Sequence, residues 1–185
     1  MKTTEKESVK TKWVVDPAHS EIGFRVKHLM ITNVKGEFKE FDSKIYTTGG
    51  DFMTSDIEFS INPSSVNTGD VKRDEHLKSV DFFDASNFSE ISFKGNAIEK
   101  VDNKGNFTLL GDLTMKGIKN AVKLDVEFGG VMKDPWGNEK AGYTLNGKIN
   151  RKDWGLNWNA ALEAGGMLVS DEVRLSMDIQ LVKQN

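Results

Sequence analysis

Three histidines, His19, His28 and His76, carry most of the acid–base or metal chemistry open to this 185-residue sequence. It has no cysteine, which excludes disulfides, thiolate metal sites and a cysteine nucleophile. His19 stands in DPAHS beside Asp16 and Ser20, the residue types of an acyl-transfer triad. A triad needs its nucleophile on a strained turn and its partners brought in from elsewhere in the chain. Three nearly contiguous residues around Pro17 read instead as a turn in which Asp16 bonds the local backbone. A metal site would draw on all three histidines. Positions 19 and 28 are an odd number apart, so on one regular strand their rings face opposite sides. No HxH, HExxH or CxxCH pattern occurs, and no metal, haem or other cofactor is expected.

The other chemically rich stretch is TGDVKRDEHLKSVDFFDAS, residues 68–86. Its spacing predicts a short helix over 70–79. Asp70 is a suitable N-cap, and Asp74 and Glu75 lie near the positive end of the dipole. Asp74 and Lys78 stand four apart in the favourable acid-first order. Arg73, His76, Leu77 and Val80 share a face, and Phe82 and Phe83 follow at once. The segment therefore offers a cation, a titratable ring and apolar groups together. Two readings stay open from these residues: a cap that covers a barrel end, with Arg73 paired to a carboxylate, or a plug at an open mouth.

The elements that must position these groups are strands. In VKLDVEF, Val122, Leu124, Val126 and Phe128 alternate with Lys123, Asp125 and Glu127, and Val173–Leu181 alternates in the same way. One wet face and one buried face imply an antiparallel sheet. Turn residues separate strands predicted at 13–30, 33–48, 52–62, 89–100, 106–115, 118–129, 140–150 and 172–183. Long strands and tight turns favour a single all-β, up-and-down, eight-stranded barrel, with the helix inserted between strands 3 and 4. Residues 1–12 are expected to be a polar tail and 13–185 one domain. Phenylalanine outnumbers tyrosine eleven to two, which brings apolar area without a polar handle. A barrel of this size either fills itself or holds one small ligand. The net charge of −3 argues against a nucleic-acid partner. MKTTEKESVKTK has no apolar signal core and no later run is long enough for a membrane span, so the expected compartment is the cytoplasm, or the periplasm if a signal has been removed.

In order and spacing, WVVDPAHSEIGFRVKHLM (13–30), GEFKEF (36–41), RDEHLKSVDFF (73–83), GDLTMKG (111–117), NRKDWGLNW (150–158) and SDEV (170–173) resemble the YceI-like family of polyisoprenoid-binding proteins. The resemblance implies a lipocalin-like barrel around a long apolar tunnel, binding rather than catalysis, and a homodimer. Many members carry a secretory signal and work in the periplasm, and this sequence departs from them there. The resemblance suggests Asp16, His19, Ser20, His28, Arg73, Asp74, His76, Arg151 and Asp153 as the family's polar positions. Of these, His19, His28, Arg73, Asp74, His76 and Arg151 are assigned to a polar mouth. Inward parity and large apolar surface select Phe24, Val26, Phe38, Phe59, Leu77, Phe82, Phe83, Phe93, Leu113, Leu145 and Trp158 as tunnel lining. Trp154 and Trp158 are expected to cork the core, and Arg151 to bond Asp153 or the backbone. The expected function is non-covalent binding of a long-chain isoprenoid or similar lipid, an isoprenoid quinone or polyprenyl phosphate, for transport, storage or sequestration. The alternatives are an enzyme acting on a lipid or its head group through His28, Arg73 and His76, and a closed barrel serving as a protein-interaction module.

Overall fold

The alternating runs become eight staves, each antiparallel to the next, with the last closing onto the first. The structure is a computed structural model and describes residues 9–163 and 165–185. The first stave is β1 (Lys10–Val15) continued by β2 (Glu21–His28), and the second is β3 (Thr32–Phe38) continued by β4 (Phe41–Thr48). β5 (Asp51–Ile61) completes the first three. After it come a two-residue strand β6 (Val66–Asn67) and the helix α1 (Val71–Lys78). The remaining staves are β7 (Ile91–Lys100), β8 (Phe107–Met115), β9 (Ile118–Lys133), β10 (Glu139–Asn150) and β11 (Val169–Lys183). β6 is added to the free edge of β3, with Val66 opposite Phe38. No helix among the described residues is long and apolar enough to cross a membrane.

Closure is made by β11. One edge pairs with β10, and the other pairs with β1 through Val15 opposite Leu181 and with β2 through Phe24 opposite Leu175. The sequence predicts a single strand over 13–30, and the structure breaks it. Pro17 has no N–H to give a ladder. Asp16 instead caps a 3₁₀ turn over Pro17–His19 by accepting from the Ala18 N–H. The stave also begins earlier than predicted: Lys10–Lys12, placed by the sequence in the polar tail, pair with Thr48–Tyr46 of β4. Residues 1–8 of that tail lie outside the described residues.

Because the staves run up and down, their connections fall at two ends. The turns at 48–51, 100–107 and 133–139 lie at one end, together with Lys10 and Lys183. The turns at 28–32 and 115–118 lie at the other, with the long segments 62–90, which holds α1, and 151–168. The first end is corked. Phe52 packs on Trp13 at 4.9 Å between ring centroids, and on Tyr143 at 5.5 Å. Tyr143 also meets Phe128 at 5.3 Å and Phe107 at 6.1 Å. Trp13 is 1% exposed and donates its indole N–H to Thr47 Oγ1 at 3.1 Å. Cutting it away would leave both a cavity and a hydroxyl without its donor. Trp13→Ala is expected to lower unfolding stability by about 3–5 kcal/mol at an unchanged denaturant slope. Equilibrium urea unfolding checks it.

Candidate functional site

Inward positions in the half nearest α1 are aliphatic or phenylalanine, and they surround a cavity of about 500 Å³ that opens beside the helix. Two glycines help to keep this half from filling. A Cβ at Gly36 would lie 2.3 Å from Cζ of Phe24, its cross-strand partner, and one at Gly111 would lie 2.4 Å from Cζ of Phe93. The rings occupy the space that a side chain on the neighbouring strand would take. They lean along the wall instead of standing across the lumen.

All eleven residues selected by parity and size lie in the cavity wall. β2 supplies Phe24 and Val26, β3 Phe38, β5 Phe59, β7 Phe93, β8 Leu113 and β10 Leu145. The mouth segments add Leu77, Phe82, Phe83 and Trp158. The wall also holds Ile22, Val34, Ile57, Leu109, Leu124 and Met177, which were not selected from the sequence as lining. Toward the cork lies a second cavity of about 50 Å³ that shares Ile57, Phe59, Leu109, Leu145 and Ile179 with the first. Tyr143 lines it, and its buried hydroxyl has no hydrogen-bond partner among the described residues. Burial pushes this phenol's pKa up, so the group stays protonated and can donate.

At the mouth, Asp70 accepts from the Arg73 N–H, the N-cap that the sequence predicts. The rest of the helix spends its charges differently. Asp74 accepts from the N–H of Thr68 at 2.8 Å and from its hydroxyl at 2.6 Å. Arg73 donates to the Thr68 hydroxyl at 2.7 Å and to its carbonyl at 2.8 Å, and pairs with no carboxylate among the described residues. Lys78 pairs with Glu75 rather than with Asp74. The Arg73–Thr68–Asp74 clamp fixes the loop entering α1. His76 Nε2 lies 2.9 Å from Asp81, and its ring meets Trp158 edge-on at 4.6 Å and Phe82 at 5.1 Å.

Arg151 is 3% exposed. It donates to the carbonyls of Ser170, Leu156 and Trp158, and so fastens the long 151–168 segment over the barrel. Of the two partners expected from the sequence, Asp153 or the backbone, it takes the backbone. Burial lowers the guanidinium pKa, and Asp171 at 4.0 Å opposes this only weakly. Nη2 is left with no hydrogen bond among the described residues. Trp154 is buried and donates to the Leu113 carbonyl at 2.8 Å, a structural role, whereas Trp158 stands in the cavity wall.

Of the six residues assigned to a polar mouth, His28, Arg73, His76 and Arg151 reach the cavity wall. Asp74 stands behind Arg73 in the clamp. His19 is elsewhere, on the outside of the barrel with its side chain 61% exposed, bonded to Asp16 at 2.8 Å. Partial burial opposes ionisation of Asp16, but hydrogen bonds from His19, Lys140 and the Ala18 N–H outweigh it and hold the carboxyl below its ordinary pKa. Ser20 Oγ accepts from the Gln180 N–H at 2.9 Å and makes no bond to His19, so the three polar neighbours do not form a relay. Lys27 and Lys72, not singled out from the sequence, also border the cavity; their flanking motif residues were the only available hint. Among the described residues, the ionisable side chains in the wall are Lys27, His28, Lys72, Arg73, His76 and Arg151, with no Asp or Glu.

A family model for the YceI-like domain matches residues 13–181. The UPF0312 protein SA2479 of Staphylococcus aureus is 42% identical over 165 residues, covering 89% of this chain and 93% of that protein. Among solved structures, a Campylobacter jejuni YCEI protein is 34% identical with a TM-score of 0.74, covering 92% of this chain and 96% of its own. A polyisoprenoid binding domain from Saccharophagus degradans is 14% identical with a TM-score of 0.65, covering 93% and 98%. That last likeness is one of fold.

The unpartnered phenol gives a sharp test of the cork. Tyr143→Phe removes a buried hydroxyl that bonds nothing, and is expected to raise stability by about 1 kcal/mol. Chemical denaturation would show a higher midpoint. A lower one would mean that the hydroxyl holds a bonded water.

Proposed function

The chain belongs to the YceI-like family, and on that premise we propose that it binds one long-chain lipid, tail first, in the barrel's apolar cavity. The observation that carries this reading is the cavity of about 500 Å³, walled mostly by aliphatic and phenylalanine side chains and bordered by α1. Its volume falls within the roughly 300–1,000 Å³ of pockets that enclose small ligands. Each methylene moved from water into such a wall contributes about 0.8 kcal/mol, so a few isoprene units suffice for tight binding. The aromatic cork sets how deep a tail can go. The basic wall at the mouth, with Arg151 holding one donor in reserve, favours an anionic head over a neutral one. Among isoprenoids this selects a polyprenyl phosphate ahead of a quinone. The polyisoprenoid binding named for the Saccharophagus degradans domain supports the class of ligand. The protein acts, on this reading, by sheltering the tail from water.

One observation favours turnover as a second reading: His76 is oriented by Asp81 at the rim, as a general base would be. Loss of head-group hydrolysis in His76→Gln, with lipid uptake intact, would establish it.

The first experiment is native mass spectrometry of freshly purified protein, followed by solvent extraction of any adduct. An extracted long-chain lipid is the expected result. Leu145→Trp, which fills the lumen at mid-height, is expected to reduce uptake of added polyprenyl phosphate by about tenfold or more while leaving the fold unchanged by circular dichroism. Equal uptake by this variant and the parent would place the lipid outside the barrel.

A further inference from the structure

The turn between β2 and β3 contains a conflict that the barrel does not explain. Leu29 and Met30 both have left-handed backbones, with φ of 54° and 60°, and the Ile31 N–H donates to the His28 carbonyl across them. Two consecutive left-handed residues in a hairpin turn call for Asn or Gly. Here they are large and apolar. They are also on the surface: Leu29, Met30 and Ile31 are 40%, 56% and 79% exposed. The core does not need their side chains, and the backbone would be better served by others. Strain kept together with exposed apolar surface points to a task at this turn.

Its surroundings say what the task is. The Leu29 N–H donates to the Leu168 carbonyl, which brings the turn beside the exposed Met167. α1, at the same end of the barrel, begins with the exposed Val71, and Val80 follows it. Between them lies the opening of the cavity, bordered by Lys27, Lys72 and Arg73. The acids of α1 and the turn after it each have a local partner: Asp70 the Arg73 N–H, Asp74 Thr68, Glu75 Lys78, Asp81 His76 and Asp84 Asn87. The rim is thus apolar and the side chains at the opening itself are basic, although segment 62–90 holds six acids against three Lys and Arg and the whole chain has a net charge of −3.

We propose that the mouth end seats on an anionic lipid bilayer, with Leu29, Met30 and Ile31 inserted among the acyl chains and Lys27 and Lys72 against the head groups. This rests on the cavity holding a membrane-borne lipid: seated so, the opening faces the leaflet, and a tail crosses from bilayer to barrel without meeting water. The opposite end also exposes apolar residues, Met132 and Trp136 among them, but it is the corked end and has no opening to present.

The test is cosedimentation with vesicles of phosphatidylcholine, with and without phosphatidylglycerol, for the parent, Leu29→Asn/Met30→Gly, Ile31→Glu and Trp136→Ala. The turn residues do not line the cavity. The parent is expected to bind the phosphatidylglycerol vesicles, less so as salt rises. The double variant should lose about tenfold or more in binding. It should melt no lower than the parent and is expected to melt higher, because Asn and Gly suit the left-handed turn. Ile31→Glu should also lose binding, and Trp136→Ala should keep it. No binding by the parent, or loss in Trp136→Ala with none in the turn variants, overturns the proposal. So does a concentration-dependent dimer that the double variant dissolves, since a second copy would then cover the patch. Uptake of decaprenyl phosphate delivered in detergent separates the two readings. Failure there in the parent sinks the cavity reading, whereas uptake by the double variant without vesicle binding leaves the cavity intact and confirms the rim.

Discussion

A closed sheet with a side-chain period of two gives each inward residue a single destination, the lumen, and the rest of this molecule follows from how that space is shared. With most backbone polarity satisfied by ladders within the wall, the interior can be largely apolar. What varies along the axis is bulk. Toward the termini the inward positions carry Trp13, Phe52, Phe107, Phe128 and Tyr143, and the lumen is shut. Toward α1 the rings of Phe24 and Phe93 lie over Gly36 and Gly111, and the lumen stays open. The cavity is thus a consequence of where ring and glycine face one another across a pair of strands.

Polar groups are concentrated at the mouth and are mostly occupied in holding it. Arg73 and Asp74 spend themselves on Thr68, and Arg151 spends three bonds on the carbonyls of the 156–170 segment. A cation buried to hold backbone has a second effect. It leaves a positive field beside an apolar space, countered only by a half-exposed Asp171 at the edge of contact. The guanidinium that holds this segment is thus also a charge on the wall of the apolar space behind it.

Much of this was legible in the sequence. Alternation located all eight staves, Asp70 announced the helix, and parity with size found eleven residues of the cavity wall. What escaped were matters that alternation does not encode. Parity says inward or outward but not how deep, so Phe107 could not be told apart from Phe93 as cork against wall, and Phe52, an odd seven residues before Phe59 on β5, reads as outward until the register shift near Tyr46–Thr48 is seen. The turn at Pro17 and the Asp16 bond to local backbone were legible, but the strand predicted over 13–30 ran through that turn because the residues on either side continue the same stave. Asp74 sits at ideal spacing from Lys78, yet a hydroxyl and an N–H six residues back offered two short bonds in place of one exposed ion pair, worth only about 0.3–0.5 kcal/mol.

The seam that closes the barrel joins Trp13 to Lys183 and Val15 to Leu181, the first stave to the last. These pairings have nearly the greatest sequence separation the chain permits. Such high contact order slows folding, because the loop must close before its contacts reward it. During synthesis the first stave emerges without its final neighbour and waits for almost the whole chain. Until then the future lumen is an open apolar face with two unpaired edges, the surface on which nascent chains aggregate. The architecture that later shields a greasy tail from water therefore begins as one that needs shielding itself, and cellular yield of this fold should depend on chaperone capacity more than its finished stability suggests.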